Sequence, residues 1–260
     1  MTAAVAVPVI LCVIILGTKL VFALFIAALA LLGLREYNTL VFNEGRIKEK
    51  SETLTAGFLI MAAAFVGGLE LVIALSTFIV IGVFILFLLE IRIYPINLDA
   101  PLRVIFGVLY VALMMSYFIL MREDENGREW IFFLVVIAFA SDVFAYYTGR
   151  TWGKRKLIPS VSAGKTVEGS LGGIAGAVIA CVIYSFLFLK QVPWMHAAML
   201  GFLGSIFGQL GDLCESAIKR SSRVKDSGTL FPGHGGVLDR LDSLLFIAPF
   251  VYYYKLFIIS

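Results

Sequence analysis

LVIALSTFIVIGVFILFLL, residues 71–89, runs for 19 residues without an Asp, Glu, Lys or Arg. At 1.5 Å per residue a helix of that length reaches about 28 Å, close to the roughly 30 Å hydrocarbon thickness of a bilayer. A membrane-barrel strand needs only about half as many residues and alternates apolar with polar positions, which this run does not. In lipid every backbone donor must find a partner within the chain, and a helix supplies one locally. Residues 71–89 are therefore predicted to form a transmembrane helix.

Outward from this run the pattern repeats. Thr53–Leu69, Val104–Met121, Gly169–Leu189 and Gln191–Gly211 are also free of charge, Trp130–Gly149 is interrupted only by Asp142, and Ser243–Ser260 only by Lys255. The stretch Thr2–Leu34 holds one charge, Lys19. As one helix it would be about 50 Å long, so a break at Gly17-Thr18-Lys19 is predicted. The expected fold class is an all-α, polytopic integral membrane protein with about nine transmembrane helices. A signal peptide at the start is disfavoured, because no Lys or Arg precedes Lys19.

Composition agrees with that reading. The chain is 60% hydrophobic and 15% charged, with a mean hydropathy of +0.97, which excludes secreted, fibrous and disordered classes. A net charge of +3 is too slight for a nucleic-acid binder. Three cysteines, Cys12, Cys181 and Cys214, lie scattered in apolar stretches and offer neither a disulfide framework nor a paired metal site. No repeat or long linker appears, so residues 1–260 are expected to be a single membrane domain. Residues 1–128 would supply N-terminal helices, and residues 129–260 the catalytic helices and loops.

With nine spans, 16 of the 21 Lys and Arg residues fall on the face that carries the N-terminus and 5 on the other. Basic residues favour the cytoplasmic side, so the N-terminus is expected in the cytoplasm. Gly172 and Gly176, and then Gly201, Gly204, Gly208 and Gly211, recur at the small-residue spacing that permits close helix packing. Such faces also suit a homodimer.

Two stretches on the basic face differ from the rest, 150–168 and 219–242, both rich in Lys, Arg, Gly and Asp. Charges inside the flanking helices are costly in hydrocarbon and therefore mark function. Asp142 lies seven residues before Gly149, and Asp212 seven before Lys219, each about 10 Å below a helix end. Asp239 and Asp242, three apart, share a helix face. Four like charges gathered in low dielectric must take up protons, pair with bases or hold a cation. An all-carboxylate set favours Mg²⁺, with Mn²⁺ the alternative, over zinc. Interhelical salt bridges, such as Asp212 with Lys219 or Asp239 with Arg240, are the competing structural reading.

Lys219, Arg220, Arg223 and Lys225 precede Asp226, and Phe231-Pro232-Gly233-His234-Gly235-Gly236 follows. Glycines let backbone N–H groups approach phosphate oxygens, and the bases neutralise them. A juxtamembrane lipid anchor would account for Lys219 and Arg220 but not for the glycines or carboxylates. Gly164-Lys165-Thr166 imitates the end of a nucleotide-binding P-loop, yet Pro159 stands where the first glycine belongs and no strand is expected before it. His196 sits alone in an apolar span and is read as a packing residue; His234 is the better functional candidate.

The segment Ser216–Asp242, SAIKRSSRVKDSGTLFPGHGGVLDRLD, resembles the signature of the phosphatidate cytidylyltransferases, or CDP-diacylglycerol synthases. Ser141-Asp142, Ala145-Tyr146, Gly149-Arg150, Gly153-Lys154 and SAGKTVEG, Ser162–Gly169, form a second similar block. Ala163, Val167 and Cys214 depart from the residues more common in that family. The resemblance implies attack of a phosphatidate phosphate oxygen on the α-phosphorus of CTP at the cytoplasmic face of a bacterial inner membrane, giving CDP-diacylglycerol and pyrophosphate. It implies catalytic roles for Asp212, Asp239, Lys219 and Asp226. Asp212 and Asp239 would be the first metal ligands, with Asp142 and Asp242 next. Lys165, Arg220, Lys225, His234, Gly235, Gly236 and Arg240 would bind substrate. The alternatives are CTP-dependent chemistry on an ether or polyprenyl lipid, or an ion or proton transporter. A transporter should spread its carboxylates through the membrane's depth, whereas these cluster near one face.

Overall fold

The structure is a computed structural model that describes residues 2–90, 97–228 and 235–259, with side chains described from residue 8 onward. Its helices are α1 (Thr2–Leu16), α2 (Lys19–Val41), α3 (Ile47–Val66), α4 (Gly68–Glu90), α5 (Asp99–Glu123), α6 (Gly127–Trp152), α7 (Val167–Phe188), α8 (Trp194–Ser221) and α9 (Leu238–Ile259). A π-helical turn at Val108–Leu113 interrupts α5, and another, Lys255–Ile259, ends α9. Among the described residues seven helices, α2 and α4–α9, are long and apolar enough to cross a bilayer. α1 has only 15 residues, and α3 opens with Lys48, Glu49, Lys50 and Glu52. The chain is an all-α polytopic membrane protein apart from one short hairpin.

Two compact units make up the chain. One comprises Met1–Asp124 and Asp226–Leu238, the other Glu125–Lys225 and Asp239–Ser260. Within the first, α5 is the central element: Val104, Val111, Ala112 and Met115 have no exposed surface. α4 is apolar all round and buries only Val72 and Val83, while Phe78 is 68% exposed, as expected of a helix whose solvent is lipid. The predicted break between α1 and α2 falls at Gly17-Thr18. Thr18 is extended, and its hydroxyl accepts the Val21 N–H at 3.2 Å, an N-cap that starts α2. Buried Arg122 donates to the Gly17 carbonyl at 2.9 Å and lies 5.4 Å from the Phe22 ring centre, and Lys19 pairs with Glu123 at 2.6 Å.

Several helix limits differ from the runs read off the sequence, those of α2 and α3 among them. α2 continues past Leu34 to Val41, and α3 begins at Ile47 rather than near Thr53. The hydrocarbon limit ends an apolar run but not a helix. Tyr37 and Asn38 are buried, Tyr37 Oη donates to the Arg103 carbonyl at 2.9 Å, and Asn38 Nδ2 donates to the Lys50 carbonyl at 3.1 Å.

In the second unit α7 lies against α6 through glycines. A Cβ at Gly173 would stand 2.8 Å from the Ser141 carbonyl oxygen, and one at Gly169 2.9 Å from that of Ala145; Gly172 faces Thr148 and Gly176 faces Phe144. α8 continues the seam, with Gly201 against the backbone of Ala177 and Val178, Gly204 against Ile137, Gly208 against Ile247 of α9, and Gly211 against the Asp242 carbonyl. These small-residue faces are used for close packing inside the chain. A buried polar network ties the same helices. Ser141 Oγ lies 2.8 Å from Ser205 Oγ, Gln209 Nε2 donates to Ser205 Oγ at 3.1 Å and to the Ser170 carbonyl at 3.2 Å, and Ser170 Oγ donates to Gln209 Oε1.

Between α6 and α7 the chain forms an antiparallel hairpin, β1 (Lys156–Ile158) with β2 (Ser162–Thr166), pairing Lys156 with Thr166 and Ile158 with Ser162. The expectation that no strand precedes Gly164-Lys165-Thr166 is thus corrected: β1 precedes it, and the three residues are themselves in β2. The strands are three and five residues long, too short for period-2 reading of the sequence. The P-loop reading still fails, because β2 passes directly into α7, with Thr166 Oγ1 capping it by accepting the Gly169 N–H at 3.1 Å. Glu168 closes the base of the hairpin by accepting the Lys154 N–H at 3.0 Å and the Arg155 N–H at 3.2 Å.

Candidate active site

The helix α8 places Asp212, Glu215 and Lys219 on one face by three- and four-residue spacing. Gly211 allows α9 to approach α8 with its backbone, and α9 presents Asp239 and Asp242 by the same spacing. One carboxylate oxygen each from Asp212, Glu215 and Asp242 lies within 4.8 Å of the others. This group is the second unit's concentration of negative charge. Asp142 of α6 lies within electrostatic reach of Asp212 and of Lys165.

Glu215 is absent from the sequence-based set and is the most buried member, with no exposed surface. Its Oε2 stands 2.5 Å from Lys219 Nζ, and its Oε1 meets no hydrogen-bond donor among the described residues. A buried carboxylate oxygen without a donor is costly unless it takes up a proton or faces a positive group. The spacing Asp212-x-x-Glu215 is the signal that could find it, equal to the Asp239-x-x-Asp242 spacing on α9.

Asp239, a first-choice metal ligand by sequence, is engaged otherwise: Lys219 Nζ donates to its Oδ1 at 2.6 Å. Lys165, brought over by β2, pairs with Asp212 Oδ2. The lysines expected to face phosphate thus sit on carboxylates here, with ion pairs between Lys165 and Asp212 and between Lys219 and both Glu215 and Asp239. Asp242 Oδ1 accepts the Ser243 N–H at 2.7 Å, and Ser216 Oγ donates to Asp212 Oδ1 at 3.4 Å.

Of the remaining basic candidates, Arg220 ties the end of α8 to the hairpin, donating from Nε to the Val161 carbonyl at 3.3 Å and from Nη1 to the Val224 carbonyl at 3.1 Å. Lys225 and Arg240 are exposed. His196 Nδ1 stands 3.0 Å from Tyr254 Oη, a packing role as expected.

In the first unit Asp226 is exposed, and His234 lies outside the described residues. Gly235 has φ 78°, a left-handed backbone that glycine adopts without strain. Gly236 is buried against Glu36 of α2. The Glu36 carboxylate accepts the Val237 and Leu238 N–H groups, each at 2.9 Å. The amides of Val237 and Leu238, at the start of α9, are therefore satisfied within the chain.

The three-carboxylate group suits a hard divalent cation. It offers only oxygen donors, one of them orphaned, and its 4.8 Å limit is close to the roughly 4.2 Å that separates opposite ligands of Mg²⁺.

The chain matches the model of the "Cytidylyltransferase family" over residues 1–258. It is similar to the phosphatidate cytidylyltransferase of Bacillus subtilis (strain 168), 44% identical over 148 residues, which is 56% of this chain and 55% of that protein. The phosphatidate cytidylyltransferase of Staphylococcus haemolyticus (strain JCSC1435) is 41% identical over 143 residues, 55% of this chain and 54% of the relative. That of Mycobacterium tuberculosis (strain CDC 1551 / Oshkosh) is 38% identical over 141 residues, 54% and 43% respectively. The matched region spans about half the length of these curated relatives.

Proposed function

This chain belongs to the cytidylyltransferase family, and from that membership we propose that it transfers the cytidylyl group of CTP to phosphatidate, giving CDP-diacylglycerol and pyrophosphate. The observation that carries the reading is the meeting of Asp212, Glu215 and Asp242 beside Lys165 and Lys219 in a chain of this family. An oxygen of the lipid phosphate forms a bond to the α-phosphorus of CTP, and the bond from that phosphorus to the α–β bridging oxygen breaks. The electron pair leaves on pyrophosphate.

A phosphomonoester is already largely ionised near pH 7, so the nucleophile needs placement and charge neutralisation rather than a general base. Asp212, Glu215 and Asp242 are the residues assigned to hold Mg²⁺, with Asp142 and Asp239 adjoining. When bound, the cation neutralises charge developing on the transferring phosphoryl oxygens. Lys165 reaches Asp212 by a long side chain from a hairpin strand and can exchange that carboxylate for a phosphate oxygen. Arg220, Lys225 and Arg240 supply further charge for the triphosphate. Lys219 holds Glu215 and Asp239 in register. The active face is assigned to the cytoplasm of a bacterial inner membrane, where CTP is available and where the basic residues concentrate.

The test is turnover by the purified full chain in detergent, with labelled CTP and Mg²⁺, against phosphatidate, an ether analogue and a polyprenyl phosphate. Stoichiometric pyrophosphate with labelled CDP-diacylglycerol is expected. Release of CDP instead would identify a lipid kinase, and turnover of the polyprenyl phosphate alone would replace the substrate.

A further inference from the structure

Gln209 has no place in the chemistry just described, yet it stands about one helical turn below Asp212 on α8 and joins three helices. Its Nε2 carries two hydrogens, and both are used: one goes to Ser205 Oγ on α8 at 3.1 Å and one to the Ser170 carbonyl on α7 at 3.2 Å. Its Oε1 accepts the Ser170 hydroxyl. A backbone carbonyl can only accept, so the Ser170 carbonyl fixes which way round the amide sits. Ser205 Oγ in turn lies 2.8 Å from Ser141 Oγ of α6, and both serines are buried. Each link of this chain lies close in sequence to a charged group of the site. Ser141 immediately precedes Asp142, Gln209 comes three residues before Asp212, and Ser170 comes five after Lys165, which pairs with Asp212.

We infer that Gln209 is the positioning residue of this site, holding α6, α7 and α8 in the register at which Asp142, Lys165 and Asp212 face one another. The inference rests on the proposed cytidylyl transfer and its Mg²⁺ site for its catalytic consequence. Magnitudes separate this role from simple helix cohesion. An interhelical hydrogen bond within a membrane contributes little to stability, because the unfolded chain in lipid also finds partners. A displacement of about 1 Å at reacting groups, by contrast, can cost about a hundredfold in rate. Loss of Gln209 should therefore injure the chemistry far more than the fold. Leu matches its bulk but makes none of these contacts, whereas Asn keeps the amide and is one methylene short.

The test uses the full-length protein in detergent as Gln209→Leu, Gln209→Asn, Ser205→Ala and Tyr254→Phe. The last takes the Tyr254 hydroxyl from His196, near the opposite end of α8, and is the control for general loosening. The two readouts are kcat at saturating CTP and phosphatidate, and the Mg²⁺ concentration that half-saturates the rise of the thermal midpoint. Gln209→Leu should lose about a hundredfold in kcat and need about tenfold more Mg²⁺, while its midpoint without Mg²⁺ falls by only about 1–5 °C. Gln209→Asn and Ser205→Ala should lie between it and the wild type. Tyr254→Phe should lower the midpoint comparably and leave both readouts within about twofold of the wild type. A Gln209→Leu protein within about twofold of the wild type in both readouts, or a Tyr254→Phe protein as impaired as Gln209→Leu, overturns the inference. Should Gln209→Leu fail to fold, Ser205→Ala, which takes one acceptor from the amide and one partner from Ser141, carries both measurements. A wild-type protein without CTP turnover refutes the proposed reaction and leaves the Mg²⁺ titration to decide on Gln209.

Discussion

Sequence alone casts Lys219 as a phosphate ligand, and the structure gives it a different load that can be measured. Its side chain is 11% exposed and lies between Glu215, fully buried, and Asp239, 10% exposed. Lys219→Met keeps the length and flexibility of the side chain but leaves two carboxylates facing each other without a base. Removing one partner of a buried ion pair costs about 3–5 kcal/mol, because the remaining charge is neither solvated nor compensated. At roughly 2–4 °C per kcal/mol for a chain of this size, the thermal midpoint should drop by about 6–20 °C. Adding Glu215→Gln removes one of the stranded charges and should restore about half of the loss. The assay is thermal unfolding in detergent micelles with a chelator present, so that no divalent cation takes the place of the lysine. Turnover is expected to fall in every variant and does not discriminate. A Lys219→Met protein that melts within about 1 °C of wild type while losing turnover would refute the structural assignment and return Lys219 to the substrate.

Three further outcomes are expected. Mg²⁺ should raise the thermal midpoint of the wild type in a saturable manner, and Asp212→Asn and Asp242→Asn should abolish both that shift and turnover; a retained shift in both would move the cation elsewhere. Glu168→Gln should hasten tryptic cleavage at Lys154, Arg155 or Lys156 by freeing the hairpin's base, and an unchanged digestion pattern would mean that the Lys154 and Arg155 amide contacts do not hold it. Single cysteines at positions 127 and 222 should be labelled from opposite membrane faces, with 222 cytoplasmic; labelling of both from one side would overturn the orientation.

Whatever depends on local composition is legible in the sequence. Uncharged runs locate the apolar helices, and Gly17-Thr18 marks the break before α2 because a cap and a helix stop are local features. Asp212 and Asp242 can be set near one another by counting residues from helix ends. Glu215 is equally legible by its three-residue spacing from Asp212, although it stands out less than a carboxylate inside an uncharged run. Glu36 is not legible, because its partners lie about two hundred residues away and no local pattern encodes such a contact. The hairpin escapes for the opposite reason: its pairing is local, but its strands are shorter than the period they would need to reveal.

The contact of α7 with α6 and α8 through Gly169, Gly172, Gly173, Gly176 and Gly201 has a genetic consequence. A glycine codon cannot mutate by a single base to anything smaller, so every missense change along this line inserts atoms where backbone or a facing side chain already stands. Such changes push whole helices apart, and the displacement grows with the volume added. Heat-sensitive alleles of this gene are therefore to be sought along the glycine line, graded from alanine through serine to valine, with suppressors arising as shortened side chains at Phe144 and Thr148 on the facing helix.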